Sequence, residues 1–193
     1  AIAFTNKVAA EMKKRAGKLV PEFSQFLNVS TFHAFCARFL RVEAHAIGYP
    51  ANFTIFDEDD QSSLVKDICV SMGYKKGDDI VKESLRYIRN KKMQGKYPDD
   101  IVPNKLRPNP SEKECIEIFR TYEERKTNML ALDFDDLLLK TILILDNFPS
   151  ITEKWKRKYD HILVDEFQDT NDVQYHLMQL LMRPDTFVYV VGD

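Results

Sequence analysis

The chain has 193 residues, 44% of them hydrophobic and 30% charged, with 28 Lys+Arg against 30 Asp+Glu and a formal charge of -2. This excludes a disordered chain and any polycation whose overall charge would hold nucleic acid, so such contact must come from local clusters. Cys36, Cys69 and Cys115 lie far apart without CxxC spacing, which argues against a disulfide framework or a zinc site and favours a reducing, cytoplasmic setting. The most apolar run, Leu137 to Leu145, falls well short of the ~20 residues that cross a bilayer, so no membrane segment is expected.

Ala1-Ile2-Ala3-Phe4 is apolar, lacks an initiator Met and any leader pattern, and reads as the end of a strand in a piece of a longer protein. Val8, Ala9, Met12, Ala16 and Leu19 then recur at helical spacing, with Thr5 or Asn6 placed to cap the helix. A second helix is predicted after Ser30-Thr31, where Phe32, Phe35, Cys36, Phe39 and Leu40 form one stripe that ends before Gly48-Tyr49-Pro50.

From about Asp57 to Leu130 the pattern is of consecutive helices, carried by Leu64, Val65, Ile68 and Cys69, then Val81, Leu85 and Ile88, then Cys115 to Lys126. Pro98, Pro103, Pro108 and Pro110 predict a stiff extended loop between the last two. Strand character returns at His161 to Val164 and at Phe187 to Val191, with a helix at about Asp172 to Met182 between them. Apolar strands alternating with helices predict an α/β fold with a parallel sheet buried on both faces. The sheet is assigned to segments 1–56 and 131–193, and a helical subdomain over 57–130 interrupts it.

Chemistry concentrates where the His161 strand ends in Asp165-Glu166, followed by Phe167-Gln168-Asp169-Thr170-Asn171. Parallel sheets bind ligands at the carboxyl ends of their strands. There Asp165 can hold Mg²⁺, directly or through water, and Glu166 can polarise an attacking water. The plainer reading is a strand that ends in solvated acids, with Asn171 and Gln174 as a helix-capping pair. Asp133, Asp135 and Asp136 suggest a metal cluster at first sight, but they open an apolar helix and are assigned a structural role.

Four segments occur in one order: Ala3-Phe4-Thr5-Asn6-Lys7; Thr31-Phe32-His33; Leu132-Asp133-Phe134-Asp135-Asp136-Leu137-Leu138; and Asp165-Glu166-Phe167-Gln168-Asp169-Thr170-Asn171 with Val191-Gly192-Asp193. Together they resemble the UvrD/Rep/PcrA family of superfamily 1 DNA helicases. The resemblance implies a RecA-like P-loop NTPase sheet, interrupted by an all-helical subdomain between the TFH and FDDLL segments. It implies a parent that uses ATP and Mg²⁺ to translocate 3′ to 5′ on single-stranded DNA and unwind duplexes in repair or replication. Asp165 would then serve Mg²⁺, Glu166 would activate water, and Gln168 and Asp193 would sense the nucleotide. Phe4, Thr5, Asn6, Thr31 and His33 would line the single strand, although Phe4 also suits a core and the Thr and Asn residues suit plain caps.

No GxxxxGK[ST] occurs in the 193 residues, so the isolated chain is expected to be inactive and to depend on the P-loop segment and second motor domain of its parent. Lys82 to Tyr97 holds six cations against Glu83, a local charge of +5. Arg86, Arg89 and Lys92 are therefore assigned to phosphates of forked DNA, against the alternative of a solvated helix face. An uncovered sheet edge makes self-association of the chain a further expectation. Two other functions stay open: a binding module for DNA or protein without hydrolysis, and the motor region of an AddA/RecB-like helicase–nuclease.

Overall fold

The computed structural model describes residues 1–75, 79–102 and 110–193. In chain order the regular elements begin with α1 (Asn6–Leu19), α2 (Phe32–Glu43), β1 (Thr54–Phe56), α3 (Glu58–Ser71) and α4 (Asp79–Met93). They continue with α5 (Pro110–Asn128), β2 (Ala131–Asp133), α6 (Phe134–Asn147) and α7 (Pro149–Lys156), and end with β3 (His161–Val164), α8 (Asp172–Leu181) and β4 (Phe187–Val190). Among the described residues no helix is long and apolar enough to cross a membrane. The chain divides into two compact units, one of Ala1–Gly48 with Lys140–Asp193 and one of Tyr49–Leu139.

In the first unit, local chemistry sets the helix starts. Thr5 Oγ1 accepts from Val8 N to cap α1, and Thr31 Oγ1 accepts from Ala34 N to cap α2, each at 3.2 Å. The predicted stripe of α2 is buried throughout, and Phe35 and Phe39 pack on Trp155 of α7 with ring centroids 5.9 and 4.7 Å apart. Glu43, at the end of α2, is buried too and accepts from Lys154 Nζ at 2.7 Å and Trp155 Nε1 at 2.8 Å. Burial opposes its charge, but these two donors outweigh it and hold the carboxyl below its ordinary value. The chain leaves α2 through Gly48, whose φ of 80 closes a 3-10 turn in the left-handed region. α1 is more exposed than its spacing suggests: only Ala9 is buried, and Leu19 is 83% exposed.

The sheet of this unit is parallel. β3 pairs with β4 in the register His161↔Phe187 to Val164↔Val190, and Ile2 forms single bridges to Val164 on one side and Ser30 on the other. Ala1 to Phe4 therefore contributes one bridged residue instead of a strand. Burial on both faces is not met. Ile162 and Val164 are buried while His161 and Leu163 are exposed, the alternation of a strand with one covered face, whereas along β4 Val188 is half-buried and Phe187, Tyr189 and Val190 are exposed. On the open face the His161 ring stacks on Phe187 at 5.2 Å.

The second unit is built on α3, α4 and α5, whose core includes Val65, Ile68, Ile88, Ile118, Phe119 and Tyr122. Asp57 and Asp60 cap α3 reciprocally. β1 and β2 pair in parallel from Thr54↔Ala131 to Phe56↔Asp133, which ties both flanks of the helical region into this unit of Tyr49–Leu139. Pro98 opens a 3-10 turn and Pro110 the first turn of α5, so neither sits in an extended loop; Pro103 and Pro108 lie outside the described residues. Cys36, Cys69 and Cys115 are free thiols buried as apolar filling, and burial pushes Cys36 up to about 12.

Candidate active site

β3 ends on the buried Val164, after which the chain turns its carboxylates outward: Asp165 is half-buried and Glu166 exposed. Glu166 adopts φ 50 and ψ 48, left-handed backbone that costs a non-glycine residue roughly 1–2 kcal/mol. Hydrogen bonds on both sides hold it there. Asp165 N donates to Ile2 O at 3.0 Å, Phe167 N to Val191 O at 2.9 Å, and Asp169 N to Glu166 O at 2.9 Å. The second of these fixes the turn to the end of β4. Gln168 Nε2 donates to Glu166 Oε2 at 2.6 Å. Asp193 is exposed and follows Gly192, against which the Gln168 side chain lies.

Among the described residues no lysine or arginine pairs with Asp165 or Glu166. Carboxylate oxygens are hard donors, the chemistry that suits Mg²⁺, so the residues present fit that ion. Asn171 and Gln174, by contrast, form a reciprocal capping box that opens α8, with bonds of 2.9 and 3.3 Å. Their role is structural.

The residues assigned to single-stranded DNA fall into one neighbourhood of the first unit. Thr31 Oγ1 donates to Asn6 Oδ1 at 3.4 Å, joining the starts of α2 and α1. Thr5 and Thr31 are both caps, and Thr31 is buried, which commits its hydroxyl to the fold. Phe4 is 58% exposed, so it is no core residue. His33 is half-buried, and desolvation lowers its pKa, which keeps the ring neutral at pH 7.

In the second unit Arg86 and Arg89 are exposed on α4, with Glu58 4.0 Å from Arg89. Lys92 is the correction. Its side chain is 0% exposed, with Nζ 2.6 Å from Asp133 Oδ2, 2.7 Å from Asp136 Oδ1 and 2.7 Å from Glu123 Oε1, so it has no surface to offer a phosphate. Lys126 joins the same group through Glu123 and Asp133 at 2.7 and 3.0 Å. Tyr122 donates to Asp133 at 2.9 Å and Tyr97 to Asp136 at 3.0 Å. Burial opposes the Lys92 charge, yet Asp136, Asp133 and Glu123 outweigh it and hold the ammonium well above its ordinary pKa. Burial also opposes ionisation of Asp136, and Lys126 and Lys92 override it, so its carboxyl sits far below the usual range.

Asp133, Asp136 and Glu123 bring oxygens within 4.8 Å of one another, a spacing a metal ion could use. Two ammonium groups occupy that place instead. The helix-start role given to the acids is met as well, since Asp136 accepts from Asp133 N at 3.0 Å and Asp133 from Asp136 N at 2.9 Å. The sequence reading missed the ionic set itself, although its signal was present: Lys126 continues the apolar stripe of Ile118, Phe119 and Tyr122, and Lys92 lies four residues beyond Ile88 on the buried face of α4.

A cavity of about 50 Å³ in the first unit is lined chiefly by Phe32, Phe35, Tyr159, Leu177 and Met178 with Arg38, and includes neither strand-end acid.

A family model described as the UvrD/REP helicase N-terminal domain matches residues 1–193. The ATP-dependent DNA helicase PcrA of Staphylococcus epidermidis is 38% identical over 194 residues, which cover 100% of this chain and 26% of that protein. The PcrA helicase of Staphylococcus aureus is 37% identical over 193 residues, with the same coverage. The chain thus spans about a quarter of the length of the curated relatives it matches.

Proposed function

The chain belongs to the UvrD/REP helicase N-terminal domain family, and on that premise we propose that it forms part of the first motor domain of a cytoplasmic, ATP-dependent DNA helicase. In this reading the first unit is RecA-like and the second is its helical insertion. The parent translocates 3′ to 5′ on single-stranded DNA and opens duplexes in repair or replication. One observation carries the reading: Asp165 and Glu166 stand at the carboxyl end of a parallel strand, and among the described residues neither pairs with a lysine or arginine.

Asp165 is the residue to hold Mg²⁺, and Glu166 is the base that takes a proton from the hydrolytic water. Bound Mg²⁺ with ATP would supply charge neutralisation on the transferring phosphate. Gln168 and Asp193, which follows Gly192, sense the nucleotide and couple its state to the DNA path. On that path Phe4 stacks on a base, while Thr5, Asn6, Thr31 and His33 shape the two adjoining helix starts. Arg86 and Arg89 meet duplex phosphates ahead of the fork. β4 pairs only with β3 among the described residues. Its other edge is where a further strand of the parent adds, or a second copy of the chain when that strand is absent.

ATP turnover by the full-length parent tests the reading. Glu166→Gln removes the base and spares Asp165, so kcat should fall by about 10²- to 10⁴-fold while nucleotide still binds. Undiminished turnover would overturn the assignment. The 193-residue chain alone, without a GxxxxGK[ST] segment, should hydrolyse no ATP.

A further inference from the structure

Resting on the reading of Glu166 as the water-activating base, we propose that Gln168 is a positioning residue for Glu166 and that Gly192 is the position that permits it. Gln168 Nε2 engages Glu166 Oε2 at 2.6 Å, which leaves Oε1 as the oxygen free to take a proton. The carboxylate belongs to a residue in left-handed backbone, φ 50, and its side chain is exposed. An exposed carboxylate has several rotamers open to it, so a fixed donor decides which oxygen faces the reacting water.

What seats Gln168 is the absence of a side chain across from it. The φ of Gly192 lies outside the left-handed region, so its backbone is open to any residue and conformational freedom is not what the position needs. Space is. A Cβ at residue 192 would overlap Gln168 Oε1, stand 3.3 Å from Gln168 Cδ, and make only ordinary contact with Phe167 N at 3.5 Å. The obstruction is therefore the tip of one flexible side chain, with no rigid backbone behind it. An alanine at 192 is accommodated by swinging Gln168 aside. The fold keeps its contacts, and Glu166 loses its donor.

The geometry also ties the pair to β4, because Phe167 N donates to Val191 O at 2.9 Å and Val191 N to Val164 O at 2.9 Å. A displacement of the β4 end would move Gly192 and the Gln168 seat together. The segment after β4 thereby acts on Glu166 through contact, with no residue of its own touching the reacting atoms.

Two measurements test this. In the isotope-labelled 193-residue chain, the Gln168 side-chain amide should show the separated proton resonances and slow exchange of a held donor. Gly192→Ala should return that amide to free-glutamine behaviour while shifting Tm by no more than about 2 °C. In the full-length parent, Gly192→Ala and Gln168→Ala should each lower kcat for ATP about ten- to a hundredfold with KM unchanged. The double variant should be no slower than Gln168→Ala alone, because the side chain that clashes is gone. An unmoved Gln168 amide in Gly192→Ala, or a double variant slower than both single ones, would overturn the proposal. Full turnover in Glu166→Gln would instead be a failure of the base assignment, told apart because the Gln168 resonances report the seat without any turnover.

Discussion

β2 and β3 each hand a parallel strand over to acids, Asp133 with Asp136 in the first case and Asp165 with Glu166 in the second. Around Asp133 and Asp136, two lysines, two tyrosine hydroxyls and reciprocal backbone bonds satisfy every oxygen, and both carboxylates are buried. Around Glu166 there is one amide donor and open solvent. The same residue types at the same kind of position therefore differ in whether the fold supplies the cation. A carboxylate that is buried must bring its counter-charge with it, since an unpaired charge out of water is too costly to keep. One left half-exposed, with no cation paired to it among the described residues, is the one we propose to meet a ligand.

Removing a built-in cation should give the largest effect. Lys92→Met keeps the length of the side chain and leaves Asp133 and Asp136 short of a partner, so urea unfolding should record a loss of about 3–5 kcal/mol. Glu166→Gln should change the same measurement by less than about 0.5 kcal/mol. The pH dependence follows from the shifts. The depressed Asp136 carboxyl contributes stability above the ordinary carboxylate value of about 4 and loses it as pH falls further. The raised Lys92 contributes below the ordinary lysine value of about 10.4 and loses it as pH climbs past that. The second unit should thus be most stable between those limits, and Lys92→Met should flatten the alkaline side.

A smaller effect sharpens the comparison from the other direction. Asp135, in the first turn of α6, is half-buried; burial first, then the Asp133 charge, pushes it up to about 6, and the Lys92 charge offsets this only in part. A raised carboxyl opposes folding when ionised, so its cost is present above pH 6 and disappears as pH falls toward 4. Asp135→Asn should stabilise the chain by roughly 1–3 kcal/mol at pH 7 and by nothing at pH 4. Thermal melts at the two pH values check this, and equal stabilisation at both would refute it.

The smallest expected effect concerns the basic helix. Without Lys92 the cations from Lys82 to Lys96 number five, four exposed and Lys91 half-buried, which caps the salt slope for forked DNA at about -4.5. Arg86→Glu with Arg89→Glu should flatten that slope by about 2 in a labelled-DNA titration. An unchanged slope would return α4 to a solvated face.

What the sequence made legible was whatever local chemistry decides. The stripe from Phe32 to Leu40, the caps Thr5 and Thr31 and the Asn171–Gln174 box follow from spacing and side-chain reach alone. β1 and β2 escaped because three residues are too short to display a period, and their pairing joins positions 54 and 131, far apart in the chain. α7 begins at Pro149 among mixed residues and takes its place from the packing of Trp155 on Phe35 and Phe39. Lys92 was misassigned because its charge was read ahead of its position. On a helix whose buried face runs through Val81, Ser84 and Ile88, residue 92 comes next on that face, and a lysine there announces buried acids elsewhere. At the strand end Asp165 and Glu166 were legible as types, but the left-handed turn and the Gln168 seat over Gly192 depend on β4 arriving alongside.

That the acids after β3 accept a cation, and Asp133 and Asp136 do not, can be put to the chain directly. Mn²⁺, a paramagnetic stand-in for Mg²⁺, titrated into the isotope-labelled protein should broaden the amide resonances of residues 164–168. It should leave those of residues 131–136 at full intensity, because Lys92 and Lys126 already fill that site. Broadening at 131–136 with 164–168 untouched would contradict the account.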